Sequence, residues 1–454
     1  MTSGTYPVEP WQLRETALDI DDLAQSESVF ALSNGHIGLR GNLDEGEPHG
    51  APGTYLNSFF ELRPLPYAEA GFGYPEEGQT LVDVTNGKIM RLLVDDEPLD
   101  VRYGEVEHHE RILDFRSGTL TREVRWRSPA GRGVSVTSTR LVSLTLRGVA
   151  AIEYVVEALD EFVTVTVQSE LVANEDQPKT SKDPRAAALL EKPLLPVSHD
   201  CDGERAVLVH HTRLSELTMA AAMDHEVEVP GRVEMHTECW EDLARTTVVC
   251  GLRPGQKLRI VKYLAYGWSS LRSRPALHDQ AAAALTGARY TGWQGLLDAQ
   301  RAYLDDFWDN ADVEVDGDPE IQQAVRFGLF HVLQASARAE RRAIAGKGLT
   351  GTGYDGHAFW DTEGYVLPVL TYTHPRAAAD ALRWRQTILP LAYERAEQLG
   401  IGGAAFPWRT IHGEECSGYW PAGTAAFHIN ADIADAVIRY LDATGDDAFA
   451  EGVG

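Results

Sequence analysis

Apolar and polar residues alternate through much of the first part of the chain, at 88–94, 119–127, 134–146, 149–158 and 163–171, with β-branched runs among them. A period of two sends one face of a strand into a core and the other outward. Asn86-Gly87, Asp95-Asp96, Ser117-Gly118 and residues 129–131 punctuate these runs as turns. Short strands repeated at this spacing predict a large antiparallel β-sandwich. Residues 174–204, polar and proline-bearing, read as an excursion, with strands resuming at Ala206 and running to about Ala265. Nearer the start, residues 27–41 read ESVFALSNGHIGLRG, a strand pair turning at Asn34-Gly35. His36 and Arg40 in this segment are expected to serve the turn and the interface with the next domain, with ligand contact as the alternative.

After Ser269 the period lengthens. Leu285, Trp293, Leu296, Leu297, Tyr303, Leu304 and Phe307 mark a helical stripe between Leu277 and Asn310. Gly317-Asp318-Pro319 then opens a further helix, with Asp318 as cap, Pro319 at the first position, and Ile321, Val325, Leu329 and Val332 on one face. Residues 377–399 and 431–443 supply more helices. The predicted organisation is multidomain β plus α: a sandwich over 1–268, a helical linker over 269–316, and an all-α domain over 317–454.

Composition narrows the function classes. A chain of 454 residues that is 43% apolar can bury substantial cores. Its net charge of −27 argues against a nucleic-acid or anionic-membrane partner, because no basic patch offsets that acidic field. The N-terminus lacks a basic-then-apolar leader and no run is long enough to span a bilayer, so a cytoplasmic protein is expected. Cys201, Cys239, Cys250 and Cys416 show no paired spacing, which predicts neither a metal knuckle nor a disulfide frame.

Candidate chemistry concentrates in two loops. Residues 346–365 read GKGLTGTGYDGHAFWDTEGY, where glycines and Asp355 break regular structure ahead of a helix starting near Thr362. Trp360 beside Asp361 suits a pyranose: the apolar ring face lies on the indole while the carboxylate accepts from neighbouring hydroxyls. The alternative is a helix cap by Asp361 with Trp360 as an apolar anchor. Residues 401–432 form a second loop, rich in aromatic and ionisable groups, with Trp408, Arg409, His412, Glu414, Glu415, Tyr419, Trp420, His428 and Asp432. Two helices are expected between the loops, which would return both to one pocket. Glu414 and Glu415 are adjacent and do not suit an acid–base pair across a sugar. Glu415 reads as a pocket or supporting group, and His428 either contacts it or packs at a helix start.

The runs GHAFWDTEGYVLPVLTYTHP and AAFPWRTIHGEECSGYWPAGTAAFHINADIADAV, together with the N-terminal ESVFALSNGHIGLRG and the stretch FWDNADVEVDGDPEIQQAVRFGLF, resemble glycoside hydrolase family 65, the maltose, trehalose and kojibiose phosphorylases. The resemblance implies an N-terminal β-sandwich, a helical linker and an (α/α)6 barrel, incomplete in this chain. It places Trp360 and Asp361 at the glucosyl subsite and Trp408 and Arg409 where the acceptor sugar is chosen, with Glu415 as a weaker substrate-binding candidate. The implied reaction is inverting phosphorolysis of an α-linked glucose disaccharide to β-glucose 1-phosphate, with inorganic phosphate as co-substrate and no metal or organic cofactor. The family's general acid lies in a Gly-Pro-(Asp or Asn)-Glu-Tyr motif beyond HINADIADAV. No such motif precedes Gly454, so the acid and phosphate site are expected outside this chain, which alone would be inactive. Hydrolysis of trehalose or a related glucoside, and a non-catalytic carbohydrate-binding remnant, are the alternatives. Relatives suggest a homodimer.

Overall fold

The computed structural model describes residues 6–65, 71–176 and 190–453. Two antiparallel sheets dominate its first part. The larger has ten strands in the order Val8–Glu9, Gln12–Glu15, Glu105–Asp114, Thr119–Arg127, Gly133–Val142, Val149–Ala158, Lys257–Ser269, Thr218–Glu228, Arg205–Thr212, Leu194–Asp202. The smaller runs Val233–Cys239, Leu243–Leu252, Val163–Val172, Met90–Val94, Glu97–Pro98. Trp126, Val136, Tyr154, Val165, Val248 and Ile260 fill the space between them. The expected sandwich is therefore present, and its turn at Asp95-Asp96 uses two residues at positive φ (47° and 70°), as a tight hairpin turn of this twist requires.

Local chemistry explains the N-terminal hairpin. Helix α1 (Leu23–Val29) leads into the strands Leu32–Ser33 and Ile37–Leu39, so residues 27–29 are helical where a strand was expected. Between the strands, Asn34 Oδ1 accepts the backbone N–H groups of His36 and Ile37, both at 2.9 Å. Gly35 sits at φ 87°, and a Cβ there would meet the backbone of Ala339 at 3.0 Å. The hairpin tip therefore touches the helical region directly. Arg40 donates to the carbonyls of Ala24 (2.8 Å) and Thr350 (2.6 Å), which makes it an interface residue rather than a ligand contact.

Two other expectations in this part are corrected. Leu194–Asp202 is a strand inside the segment read as an excursion. Its edge position, its mostly exposed side chains and a bulge between Pro196 and Ser198 hide the alternation; residues 177–189 of the same segment lie outside the described residues. Cys201 on that edge strand and Cys239 on the edge strand of the other sheet form a disulfide, with Cα atoms 6.4 Å apart. Their separation of 38 residues carries no local spacing signal; only the meeting of two sheet edges brings them together. Cys250 and Cys416 are free and buried.

Helix α2 (Arg274–Ala311) lays Leu277, Leu285, Trp293 and Leu296 on the outer face of the large sheet, against Val149, Ala151, Val261 and Tyr263. Its direction changes at Gly292 (φ 69°, ψ 166°). Helix α3 (Pro319–Ser336) begins as expected, Asp318 accepting from the N–H groups of Glu320 (3.0 Å) and Ile321 (3.2 Å), with Pro319 at the first position. Its predicted face is only partly buried: Leu329 and Val332 pack against the cores, but the most deeply buried positions lie beside that face. Gln322, Arg326, Phe330, Leu333 and Gln334 point inward while Ile321 is 50% exposed. The inward polar groups have work there: Arg326 pairs with Asp312 at 2.7 Å and Gln334 accepts from Ser33 N–H at 2.7 Å.

Beyond α3 come a π-turn at Thr362–Val366, then α4 (Leu367–Thr373), α5 (Pro375–Thr387), α6 (Leu389–Gln398), α7 (Trp420–Ala425), α8 (His428–Thr444) and α9 (Asp447–Val453). Three helices lie between the two loops where two were expected, because the prolines at 368, 375 and 390 each favour a new first turn. Among the described residues no helix is long and apolar enough to cross a membrane.

Candidate active site

The two loops singled out in the sequence meet as a short ladder, Ala358 opposite Thr410 and Phe359 opposite Arg409. This pairing sets Trp360 and Trp408 side by side, ring centroids 6.3 Å apart. His428, at the start of α8, stands edge-on to both rings, 5.1 Å from Trp360 and 5.7 Å from Trp408. Of the two readings of His428, contact with Glu415 gives way to packing in this aromatic cluster. Asp361 follows Trp360 at the head of the π-turn, with an exposed side chain and no capping hydrogen bond. The cap reading thus fails, and a carboxylate is left beside an indole. The Trp360 Nε1–H is buried and finds no acceptor among the described residues. One turn after His428 on the same face of α8, Asp432 carries a buried carboxylate oxygen that is likewise unpartnered. Unpaired buried polar atoms are uncommon and mark places where a partner is missing.

A second group of residues holds the loops rather than facing a ligand. Tyr354 and Asp355 both adopt left-handed backbone (φ 56° and 58°), a conformation that costs free energy outside glycine. Arg409 offsets it. Its guanidinium donates to the Tyr354 carbonyl and to Asp355 Oδ2, each at 2.9 Å, and its Nε–H donates to His357 Nδ1. Arg63 reaches the same Asp355 oxygen at 3.3 Å. His357 is neutral in this arrangement, since Nδ1 accepts while Nε2–H donates to the Gln79 carbonyl. Burial, and then the adjacent Arg409 charge, push its pKa down to about 3.

Gln79 comes from the strand Glu77–Leu81 of the β-domain. Its side-chain oxygen accepts from Ile411 N–H (2.8 Å) and His412 N–H (3.0 Å), and its amide donates to Glu414 at 2.7 Å. Glu415 points the other way. It accepts the backbone N–H groups of Trp408 (2.6 Å) and Ser417 (2.7 Å), tying the loop to itself, and burial raises its pKa against those two bonds. Glu414 instead pairs with His412 at 3.0 Å. The two glutamates border one opening beside Leu391 and Arg395 but are committed to different partners.

Descriptions of a known family match both parts of the chain: "Glycosyl hydrolase family 65, N-terminal domain" over residues 13–307 and "Glycosyl hydrolase family 65 central catalytic domain" over residues 326–454. The chain belongs to glycoside hydrolase family 65. An uncharacterized glycosyl hydrolase of Mycobacterium tuberculosis is 75% identical over the whole chain, which covers 58% of that protein. An alpha,alpha-trehalose phosphorylase of Thermoanaerobacter brockii is 36% identical over 97% of the chain and 58% of the relative. A kojibiose phosphorylase of Escherichia coli is 29% identical over 97% of the chain and 57% of the relative. A solved structure named for a kojibiose phosphorylase of the human microbiome superposes with a TM-score of 0.89 at 24% identity, over 98% of this chain and 57% of that one. The chain thus spans a little over half the length of the family 65 proteins it matches.

Of the five expected substrate-binding residues, the structure sets Trp360 and Trp408 side by side, with the exposed Asp361 following Trp360 in the chain. Arg409 and Glu415 lie next to them with their polar atoms engaged in holding the loops. One pair escaped the sequence reading altogether. Glu363 in the π-turn and Arg385 in α5 form a buried two-pronged ion pair (2.7 and 2.9 Å), and Arg385 also donates to the Phe359 carbonyl at 3.3 Å. Together they fix the backbone on both sides of Trp360 and Asp361. Arg385 is one of three arginines in α5, with Arg376 and Arg383, so residue type alone does not single it out as the buried one.

Proposed function

We propose that this chain carries the glucosyl-binding part of a family 65 disaccharide phosphorylase, acting on an α-linked glucose disaccharide by inverting phosphorolysis. The observation that carries the reading is Asp361, an uncapped, exposed carboxylate beside an indole whose own N–H has no acceptor. In this reading a glucose ring lies against Trp360, Asp361 accepts from two of its hydroxyls, and Trp408 borders the acceptor sugar. Arg409 acts at one remove, by holding the turn that precedes Trp360. Phosphate is the nucleophile, so no second carboxylate is required to activate water. The general acid and the phosphate-binding groups are assigned to sequence outside these 454 residues, and the chain by itself is expected to be inactive.

The test is to read the coding sequence past Gly454 and assay its product with phosphate and a panel of glucose disaccharides, following β-glucose 1-phosphate by NMR. Release of the phosphate ester from one α-linked disaccharide is expected, with Asp361→Ala abolishing turnover at an unchanged melting temperature. Glucose release without phosphate would replace phosphorolysis by hydrolysis. Retained turnover in Asp361→Ala would remove that residue from the site.

A further inference from the structure

We propose that His108, Glu110 and Glu123 bind one divalent transition-metal ion of the zinc class on the outer face of the large sheet, in the β-domain and apart from the Trp360 surface. The strands Glu105–Asp114 and Thr119–Arg127 are antiparallel neighbours, and their register sets Glu110 directly opposite Glu123. Alternation sends His109, Arg111, Val124 and Trp126 into the interior, so His108, Glu110 and Glu123 stand together on the other face. One imidazole nitrogen and two carboxylate oxygens, one atom from each residue, all lie within 4.8 Å of one another.

Two carboxylates held opposite each other across a ladder repel, and the register leaves them no way apart. Neighbouring cations answer only part of that charge. Arg14 approaches Glu110 at 3.5 Å but lies closer to Glu9, at 2.9 Å. Glu123 and His108 have no hydrogen bond or ion pair among the described residues. Arg125, opposite His108 on the same face, is exposed and free to swing clear of an incoming ion. A bulge between Val106 and His108 turns Glu107 outward as well, but Arg127 takes that carboxylate at 2.8 Å, which leaves the imidazole as the third ligand.

The donor set selects the ion. Ca2+ and Mg2+ take oxygen ligands, whereas an imidazole with two carboxylates suits Zn2+ and its first-row neighbours. His108 and Glu123 are exposed, so their side chains have the freedom to close onto one ion at about 2.0–2.2 Å, with water in the remaining position. Because the ligands come from two strands, the ion ties the hairpin together and removes the repulsion between its glutamates. The site stands on these residues alone and is independent of the reaction proposed above.

Calorimetric titration of the 454-residue chain, first dialysed against a chelator, with Zn2+, Ca2+ and Mg2+ tests this. Zn2+ is expected to bind and Ca2+ and Mg2+ not to bind. With 15 histidines in the chain, the assignment is read from variants. His108→Gln and Glu123→Gln are each expected to weaken Zn2+ about tenfold or more. Both positions are exposed, so the variants should fold as the parent does. Saturating Zn2+ is expected to raise the melting temperature of the parent and to leave that of the double variant unchanged. Absence of Zn2+ binding, equal binding of Ca2+ or Mg2+, affinity unchanged in the two variants, or the same thermal shift in the double variant would each overturn the proposal.

Discussion

The neutral His357 makes the loop junction sensitive to acid. In the folded chain it cannot take a proton without losing the bond from Arg409 and burying a second positive charge beside it. In the unfolded chain the same imidazole titrates near 6.5. Its folded pKa is depressed, so the unfolded state binds the extra proton first, and stability falls as pH drops from 6.5 toward about 3. Each pH unit in that window costs about 1.4 kcal/mol per proton, which amounts to about 2 kcal/mol between pH 7 and pH 5. Other buried histidines with depressed pKa values, His109, His225 and His331, add to the same slope. The contribution of His357 is therefore read as a difference. Urea unfolding followed by tryptophan emission is measured at pH 7 and pH 5 in the parent and in His357→Gln, which retains an acceptor but does not titrate. The variant is expected to start less stable at pH 7 and to lose about 2 kcal/mol less on acidification. An identical pH dependence in the two proteins would refute the neutral, Arg409-bonded imidazole.

Three further outcomes follow from the geometry. Arg385→Met leaves Glu363 charged and buried, and should destabilise the helical region by about 3–5 kcal/mol, whereas the double change Glu363→Met with Arg385→Met should cost markedly less than the two single changes summed; thermal unfolding of all four proteins decides it. Glu415→Gln places an amide group where two backbone N–H groups need acceptors, with an expected cost of about 1–3 kcal/mol and faster hydrogen exchange at Trp408 and Ser417. Asp318→Ala removes two capping bonds from α3 and should cost about 1 kcal/mol in denaturant unfolding.

Much of the fold was legible because it rests on local chemistry. Alternation located the strands at 119–127 and 149–158 to the residue, Asn34-Gly35 declared its turn, and Asp318-Pro319 declared the start of α3. The failures share a cause, which is pairing between residues far apart in sequence. The strand Leu194–Asp202 looks polar because it is an edge, and the cysteines at 201 and 239 meet only once both sheets exist. The inward face of α3 was only partly located, since Leu329 and Val332 pack inward as expected but Gln322, Arg326 and Gln334 are buried by partners that no periodicity reveals. At the candidate site, Trp360, Asp361 and Trp408 could be named from residue type. What could not be read was that Arg409 is committed to Asp355 and His357, or that Glu363 finds Arg385.

Gln79 has an implication for how such proteins can be recombined. One side chain of the β-domain holds Ile411, His412 and Glu414, and its carbonyl receives His357, so the loops of the helical region are partly shaped by a template they do not encode. A chimera that grafts residues 346–365 and 401–420 from a relative onto this scaffold would import the loops without their mould. Portability of acceptor preference between relatives should therefore improve when the strand Glu77–Leu81 travels with the grafted loops.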